Sequence, residues 1–277
     1  MPASPANRGV DSHCHVFDTG RFPYSPEATY QPPEHEQGTP AQFSAVLDAH
    51  GLSHALLVSP TSGYRYDNRC MLAAIRESEG RFKGIARIPA DINEPALAEL
   101  RDGGAIGFRV DLVADGARWV DQPAARKLLA RAREMDWLVQ VQCERDQLHE
   151  AAAALRAARV RLIFDHCGRP DAELGVDQPG FEALLSFGRE GHHVKLSGPF
   201  RFYNAFSPRA RIEPFVEALI ETFTPKRCVW GSDWPFLRMP MRMDYGPVLA
   251  NLERWIPDER ERRQVLWDTP ARLFGFV

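Results

Sequence analysis

Short apolar segments recur about every 30 residues along this 277-residue chain, and segments with helical periodicity separate them. The apolar segments are rich in β-branched or aromatic residues and are bounded by Gly, Pro or Asp, as buried strands are. This alternation constrains the fold more than any other feature of the sequence. It predicts eight strands, at residues 9–15, 54–60, 82–88, 105–110, 137–143, 161–166, 193–198 and 227–233.

Three of the intervening segments show Leu and Ala at three-to-four spacing with charged residues opposite, and they predict helices over 123–135, 146–158 and 211–223. Pro123 and Asp146 are suited to helix starts. Eight strand–helix alternations in a chain of this length predict an α/β protein with a single (β/α)8 TIM barrel, one domain spanning residues 1–277. A doubly wound sheet is the alternative, but no G-x-G-x-x-G motif follows the first strand.

The charge balance excludes several classes of partner. The net charge is −3 and the pI about 6.3, so the sequence predicts no nucleic-acid or anionic-membrane binding. No apolar run approaches the roughly 20 residues of a membrane span, and the N-terminus lacks the apolar region of a secretory signal. The five cysteines show no C-x-x-C spacing. We therefore expect reduced thiols and a cytoplasmic location, and the oligomeric state is left open.

The connection after the first strand differs from the others. Residues 18–41 are rich in proline and carry the aromatic residues Phe22, Tyr24 and Tyr30. Long ordered loops of this kind are often functional, and aromatic side chains favour packing over another surface. A lid over the barrel mouth and a plain surface loop are both consistent with the sequence.

Polar residues stand at the carboxyl ends of three predicted strands. His13 and His15 end the first strand and point to one side, with Cys14 on the other. His166 ends the sixth strand and Asp233 the eighth. Because active sites of such barrels lie at the carboxyl ends of the strands, these four residues predict a catalytic site there.

Three arginines form a second candidate set. Arg109 lies near the end of the fourth strand, Arg169 follows His166 by three residues, and Arg201 follows the seventh strand. Together they would suit a substrate carboxylate or another oxyanion. Each one, taken alone, is equally consistent with a structural salt bridge. Lys195, inside the seventh strand, is expected to pair internally.

Three stretches carry a resemblance to a known family: "DSHCHVF" on the first strand, "FDHCGRPD" on the sixth and "VWGSDWP" on the eighth. In this order they resemble the amidohydrolase superfamily. The match is closest to its branch of lactone hydrolases, typified by 2-pyrone-4,6-dicarboxylate lactonase. The "HVF…FPYSP" run at 15–26 is similar as well, and the likeness extends from residue 10 to "TPARLFGF" at 269–276.

The resemblance implies a role for each matching residue. Asp233 would handle the hydrolytic water, and His13, His15 and His166 would contact the lactone carbonyl. Arg109, Arg169 and Arg201 would bind substrate carboxylates. Beyond these matching residues, we expect Gln142 and Tyr24 to contact the substrate. Gln142 stands where the dicarboxylate enzymes have a tyrosine, and Asp115 where they have a further basic residue. A less anionic lactone than the pyrone dicarboxylate is therefore expected.

The resemblance also bears on metals. Many amidohydrolases bind two metal ions through a carboxylated lysine or a glutamate on strand four or five, and neither residue stands there in this chain. We expect no required cofactor, or one divalent metal such as Zn²⁺ held by His13, His15 and Asp233.

The predicted activity is that of a carboxylic ester hydrolase, metal-independent or with one metal ion, in carbohydrate or aromatic catabolism. It would open a small carboxylated lactone: a sugar-acid lactone, a muconolactone or a pyrone carboxylate. Two alternatives remain, a Zn-dependent decarboxylase of the same superfamily and a non-catalytic barrel that binds organic acids.

Overall fold

The computed structural model describes residues 8–202 and 212–277. All eight predicted strands are present, and each begins within one residue of its expected start. They are β1 (Val10–Cys14), β2 (His54–Val58), β3 (Phe82–Ala86), β4 (Ala105–Asp111), β5 (Leu138–Gln142), β6 (Arg161–Phe164), β7 (His193–Ser197) and β8 (Cys228–Gly231).

Helical segments connect the strands throughout the described part of the chain. They are α1 (Pro40–Ala49), α2 (Thr61–Tyr64), α3 (Arg69–Glu77), α4 (Glu94–Asp102), α5 (Leu112–Asp115), α6 (Pro123–Glu134), α7 (Gln147–Ala158), α8 (Pro179–Arg189), α9 (Glu213–Phe223), α10 (Tyr245–Trp255), α11 (Glu259–Arg263) and α12 (Thr269–Phe274). The three predicted helices correspond to α6, α7 and α9. Residue 211, the expected start of the last, lies outside the described residues.

Local sequence explains where the helices begin. Proline occupies the first turn of α1, α4, α6, α8, α9 and α12, where its missing N–H is not needed. Thr39 and Gln42 cap α1 reciprocally through side chain and backbone. Asp146 lies at the cap position of α7 as predicted, but its carboxylate accepts a hydrogen bond from the Gly180 N–H instead of capping the helix.

The strands form one sheet in chain order, β1 to β8, and the strand pairs with resolved register are parallel. The end of β1 also bonds to the segment that follows β8. The His15 N–H donates to the Trp234 carbonyl at 2.8 Å, and the Asp233 N–H donates to the His13 carbonyl at 2.8 Å. Chain-order parallel strands that close in this way define the (β/α)8 barrel. The predicted fold class is confirmed, and the doubly wound alternative is wrong.

The chain is organised as two compact units. The first contains the residues up to Pro89, Asn93–Ile106 and Trp230–Val277, and the second contains Ala90–Ile92 and Gly107–Val229. The core of the first unit includes Val10, Phe43, Leu47 and Leu57. The core of the second includes Leu129, Val139, Phe164, Leu184 and Phe187. In each unit, apolar strand residues pack against the apolar faces of the surrounding helices.

The proline-rich connection continues to Thr39 and includes a 3-10 turn at Glu34–Glu36. The Tyr24 ring lies 5.6 Å from that of Tyr64, and its hydroxyl donates to the Pro32 carbonyl. At the far end, Gly38 lies against the Trp234 indole so closely that a Cβ would be 1.9 Å from a ring carbon. The connection is therefore packed over the segments that follow β2 and β8. Its function as a lid stays a prediction.

A membrane-crossing helix, which needs both length and sustained apolar character, does not occur in the described parts of the chain.

A glycine in β4 provides a test of the strand packing. A Cβ at Gly107 would lie 1.9 Å from the Leu138 carbonyl oxygen of β5, which is backbone and cannot rotate away. We expect Gly107→Ala to lower the free energy of unfolding by about 2 kcal/mol or more in urea titrations. Gly20→Ala is the control, because its Cβ meets only the Asp18 carboxylate at 3.7 Å. Equal stability of the two variants would contradict the described β4–β5 pairing.

Candidate active site

The first unit brings two histidines to the end of β1. His13 is 0% and His15 6% exposed, and their rings lie edge to face with centroids 5.1 Å apart. His15 Nδ1 lies 2.7 Å from the Val58 carbonyl oxygen. Because a carbonyl only accepts, Nδ1 carries the proton, and Nε2 of the neutral ring has a lone pair to offer.

The segment after β8 brings a carboxylate to the same place. Asp233 is 1% exposed, and its Oδ1 lies 3.7 Å from His13 Nε2 and 3.5 Å from His15 Nε2. Its backbone has φ +64°, a left-handed conformation that Asp tolerates better than most residues. This arrangement therefore directs one carboxylate oxygen and two imidazole nitrogens at the same small space.

The cluster fits a single metal ion. The ligand atoms of His13, His15 and Asp233 all lie within 4.8 Å of one another. A tetrahedral zinc with bonds of about 2.1 Å has ligand atoms about 3.4 Å apart. The Asp233–histidine distances of 3.5 and 3.7 Å are close to that value. Two imidazoles and a carboxylate are also a donor set that zinc accepts.

Asp11 supports this cluster, and the sequence reasoning missed it. Its Oδ1 accepts from the backbone N–H groups of His13 at 3.1 Å and Ser232 at 2.9 Å, while Oδ2 accepts from the Tyr245 hydroxyl at 2.9 Å. One carboxylate thus links the histidine strand to the segment that carries Asp233. Burial raises the pKa of the Asp11 carboxyl to about 6, although these hydrogen bonds oppose the rise. The signal that could have found it is a charged residue inside an otherwise apolar strand.

The second unit contains a buried charged cluster. Arg109 Nε and Nη2 each lie 3.0 Å from Asp165 Oδ2, and Lys195 Nζ lies 3.4 Å from Asp165 Oδ1. Gln140 donates to Asp165 at 2.9 Å and accepts from Lys195 at 2.6 Å. Arg109 is 5% exposed, and Asp165 and Lys195 are fully buried. Lys195 pairs internally, as predicted, and Arg109 is in the structural salt bridge that the sequence left as its alternative.

The remaining predicted residues of this unit lie near the carboxyl ends of their strands. His166 follows β6, is buried, and has Nδ1 3.0 Å from the Ser197 hydroxyl. Arg169 is half-buried and bonds Glu144 at 2.8 Å. Gln142 ends β5 and is half-buried, as is Arg201, whose guanidinium lies over the Phe200 ring.

Tyr24 belongs to the first unit. It packs with Phe17 and Tyr64 in an aromatic cluster, and its hydroxyl donates to the Pro32 carbonyl. A substrate role for it stays a prediction.

Comparison with known proteins identifies the family of the chain. A family model described as "Amidohydrolase" matches residues 10–276. The chain belongs to the amidohydrolase family.

Two relatives are 4-sulfomuconolactone hydrolase of Hydrogenophaga intermedia and 2-pyrone-4,6-dicarboxylate hydrolase of Comamonas testosteroni. The first is 32% identical, and the match covers 96% of this chain and 88% of the relative. The second is 31% identical, and the match covers 96% of this chain and 89% of the relative.

A solved structure extends the similarity to three dimensions. It is described as a probable 2-pyrone-4,6-dicarboxylic acid hydrolase from Acinetobacter baumannii with citric acid bound. It is 27% identical, covers 97% of this chain and 99% of its own, and superimposes with a TM-score of 0.88.

The raised pKa of Asp11 predicts a pH dependence of stability. Because the folded pKa of about 6 lies above the ordinary value of 3.8, the folded state holds the extra proton between these values. The stability that this proton contributes is present at low pH and lost as the pH rises through 6. We expect wild type to lose up to about 3 kcal/mol relative to Asp11→Asn between pH 4 and pH 7.

Urea titrations with a chelator present measure this difference. Asp48→Asn, at an exposed carboxylate that pairs with Arg81, should follow wild type across the same range. A constant difference between wild type and Asp11→Asn would show that Asp11 is charged throughout.

The charged cluster of the second unit gives another prediction. Asp165→Asn leaves the cations of Arg109 and Lys195 buried without their carboxylate. We expect a loss of about 3–5 kcal/mol in the free energy of unfolding. Asp136→Asn removes an exposed carboxylate that pairs with Arg161, and should cost less than about 1 kcal/mol. Similar losses in both variants would argue against a buried ion pair at Asp165.

Proposed function

We propose that the protein is a hydrolase that opens the ring of a small carboxylated lactone. The observation that carries this proposal is the approach of the Asp233 carboxylate to the Nε2 atoms of two buried histidines. Such a cluster can activate water and stabilise negative charge on an adjacent carbonyl oxygen. Relatives whose names describe lactone hydrolases, each more than 30% identical, support the choice of lactone over other esters.

In the proposed mechanism Asp233 is the general base. It removes a proton from a water molecule, and the oxygen of that water adds to the lactone carbonyl carbon. The tetrahedral intermediate collapses with cleavage of the ring C–O bond. The proton held by Asp233 then passes to the departing alkoxide, so the product is an open-chain hydroxy acid and the enzyme returns to its starting state.

The histidines stabilise the oxyanion of the intermediate. Because His15 Nδ1 donates to Val58, its Nε2 donates to an oxyanion only when the ring carries a second proton. Asp233 Oδ1 lies 3.5 Å from this Nε2, so the His15 ring and the base act on neighbouring atoms of the substrate. His13 lies in the same cluster, and we assign it the same role toward the oxyanion.

One metal ion is compatible with this site. His13, His15 and Asp233 would hold it. A bound Zn²⁺ would supply Lewis-acid polarisation and lower the pKa of a coordinated water. The proton transfers assigned to Asp233 are the same whether or not a metal ion is bound.

Tyr24 and several residues of the second unit complete the proposal. In a (β/α)8 barrel the carboxyl ends of all strands lie on one face, where substrates bind. We assign His166 to the carbonyl oxygen, Arg169 and Arg201 to substrate carboxylate, and Gln142 and Tyr24 to orientation. Since Asp165 holds Nε and Nη2 of Arg109, we propose that Arg109 contributes mainly its charge to substrate binding.

Asp233→Asn tests the general base directly. The amide keeps the size of the side chain but cannot accept the water proton, so we expect kcat to fall about 100-fold or more in lactone hydrolysis followed by proton release. Asp244→Asn is the control, since this exposed carboxylate pairs with exposed Arg242 and lies outside the proposed catalytic cluster. Near-normal turnover by folded Asp233→Asn protein would exclude Asp233 as the base.

The same preparations separate the rival activities. A screen of sugar-acid lactones, muconolactone and pyrone carboxylates is run before and after chelation, with metal analysis of the purified protein. CO₂ release without lactone hydrolysis would favour the decarboxylase. Saturable ligand binding without turnover would favour the binding barrel.

A further inference from the structure

A buried arginine lies at the carboxyl end of β3, in the same unit as His13, His15 and Asp233. Arg87 directly follows the strand and is 2% exposed. The Asn68 side chain holds its backbone on both sides, accepting from the Arg87 N–H and donating to its carbonyl, each at 3.0 Å. A backbone held in this way gives the side chain a defined direction.

The strand geometry sets that direction. A Cβ on Gly84 would lie within 2.9 Å of the Met71 and Ile75 side chains, so this position faces helix α3. Side chains alternate along a strand, which places Ile85 and Arg87 on the opposite face, toward the barrel axis. The guanidinium then lies with its Cζ 5.2 Å from the centre of the Tyr66 ring, a contact that restricts its motion.

The register relates Arg87 to the candidate active site. Cys14 pairs with Leu57 and Val58 with Ile85, so His15, Val58 and Ile85 lie at one level across β1, β2 and β3. The bond from His15 to the Val58 carbonyl agrees with this register. Arg87 lies two residues beyond Ile85, toward the carboxyl end of β3, and β3 is two strands away from β1. With ordinary strand spacing, the Cα atoms of Arg87 and His15 are about 12 Å apart. Both side chains therefore lie at the mouth end of strands in the same unit.

Charge supplies the chemical reason for a cation there. Asp233 contributes a buried negative charge to the cluster, and an anionic substrate must approach it. Repulsion between the two anions disfavours binding unless a fixed cation compensates. An arginine presents several N–H donors in one plane, which match the oxygens of a carboxylate or sulfonate.

We propose that Arg87 binds an anionic group of the substrate, a carboxylate or sulfonate, while His13, His15 and Asp233 act on the lactone carbonyl. The inference rests on the proposed function for the identity of the reacting group. It makes Arg87 the residue of the first unit that selects charged lactones over neutral ones.

The test compares Arg87→Met and Arg87→Lys with Arg76→Met, which removes the same charge from the exposed face of α3. Each protein is assayed with muconolactone and with its uncharged methyl ester. The ratio of the two kcat/KM values is used, because it is independent of the fraction of folded enzyme. We expect this ratio to fall about 10-fold or more in Arg87→Met, less in Arg87→Lys, and to stay at the wild-type value in Arg76→Met.

Citrate binding, measured by calorimetry, provides a readout without turnover. The Kd for citrate should rise about 10-fold or more in Arg87→Met and remain unchanged in Arg76→Met. An unchanged substrate ratio in Arg87→Met, an equal loss on both lactones, or citrate affinity independent of Arg87 would overturn the proposal. Absence of lactone hydrolysis by wild type would instead refute the proposed function, and the citrate measurement would still decide whether Arg87 binds anions.

Discussion

The closure of β1 against the segment after β8 is the interaction on which the candidate site depends. Two backbone hydrogen bonds, from Asp233 to His13 and from His15 to Trp234, bring the histidines and the carboxylate together. A Cβ on Gly231 would lie 2.7 Å from His13 Cβ, so the close approach of the strands requires glycine. Asp11 then reinforces the backbone contact by accepting from both sides of it.

Burial determines how the charged groups behave in both units. In the first, burial disfavours the charged form of Asp11, and hydrogen bonds compensate only in part. In the second, Asp165 is surrounded by two cations and an amide, because a carboxylate without them would be far too costly to bury. Charges enclosed in this way have little room to rearrange, which suits side chains that must hold a fixed geometry.

The sequence predicted the strands well because their signal is local. Runs of apolar and β-branched residues, ended by Gly, Pro or Asp, mark each strand wherever its neighbours lie. His13, His15 and Asp233 could be found for the same reason, since each stands at a recognisable strand end. Their mutual approach required only the topology of the fold.

The contacts that the sequence could not predict join distant parts of the chain. The Tyr245 hydroxyl reaches Asp11 across 234 positions, and no pattern near either residue indicates the other. Arg109 is a second residue whose contact could not be predicted from the sequence. Its position suggested a substrate anchor, but its partner Asp165 lies 56 residues away, and only the folded structure identifies it. Residue type and strand position defined the candidates, and the folded structure shows which residues each of them contacts.

The hydrogen bond between His15 and Val58 has a wider consequence. With Nδ1 committed to the carbonyl, a single lone pair on this ring faces the Asp233 carboxylate. The orientation of the ring is thereby fixed from the β2 side, and Nε2 is the one ring nitrogen of His15 that is directed at the candidate site. A change in the position of the Val58 carbonyl would therefore move the reactive edge of His15, although β2 supplies none of the catalytic side chains proposed above.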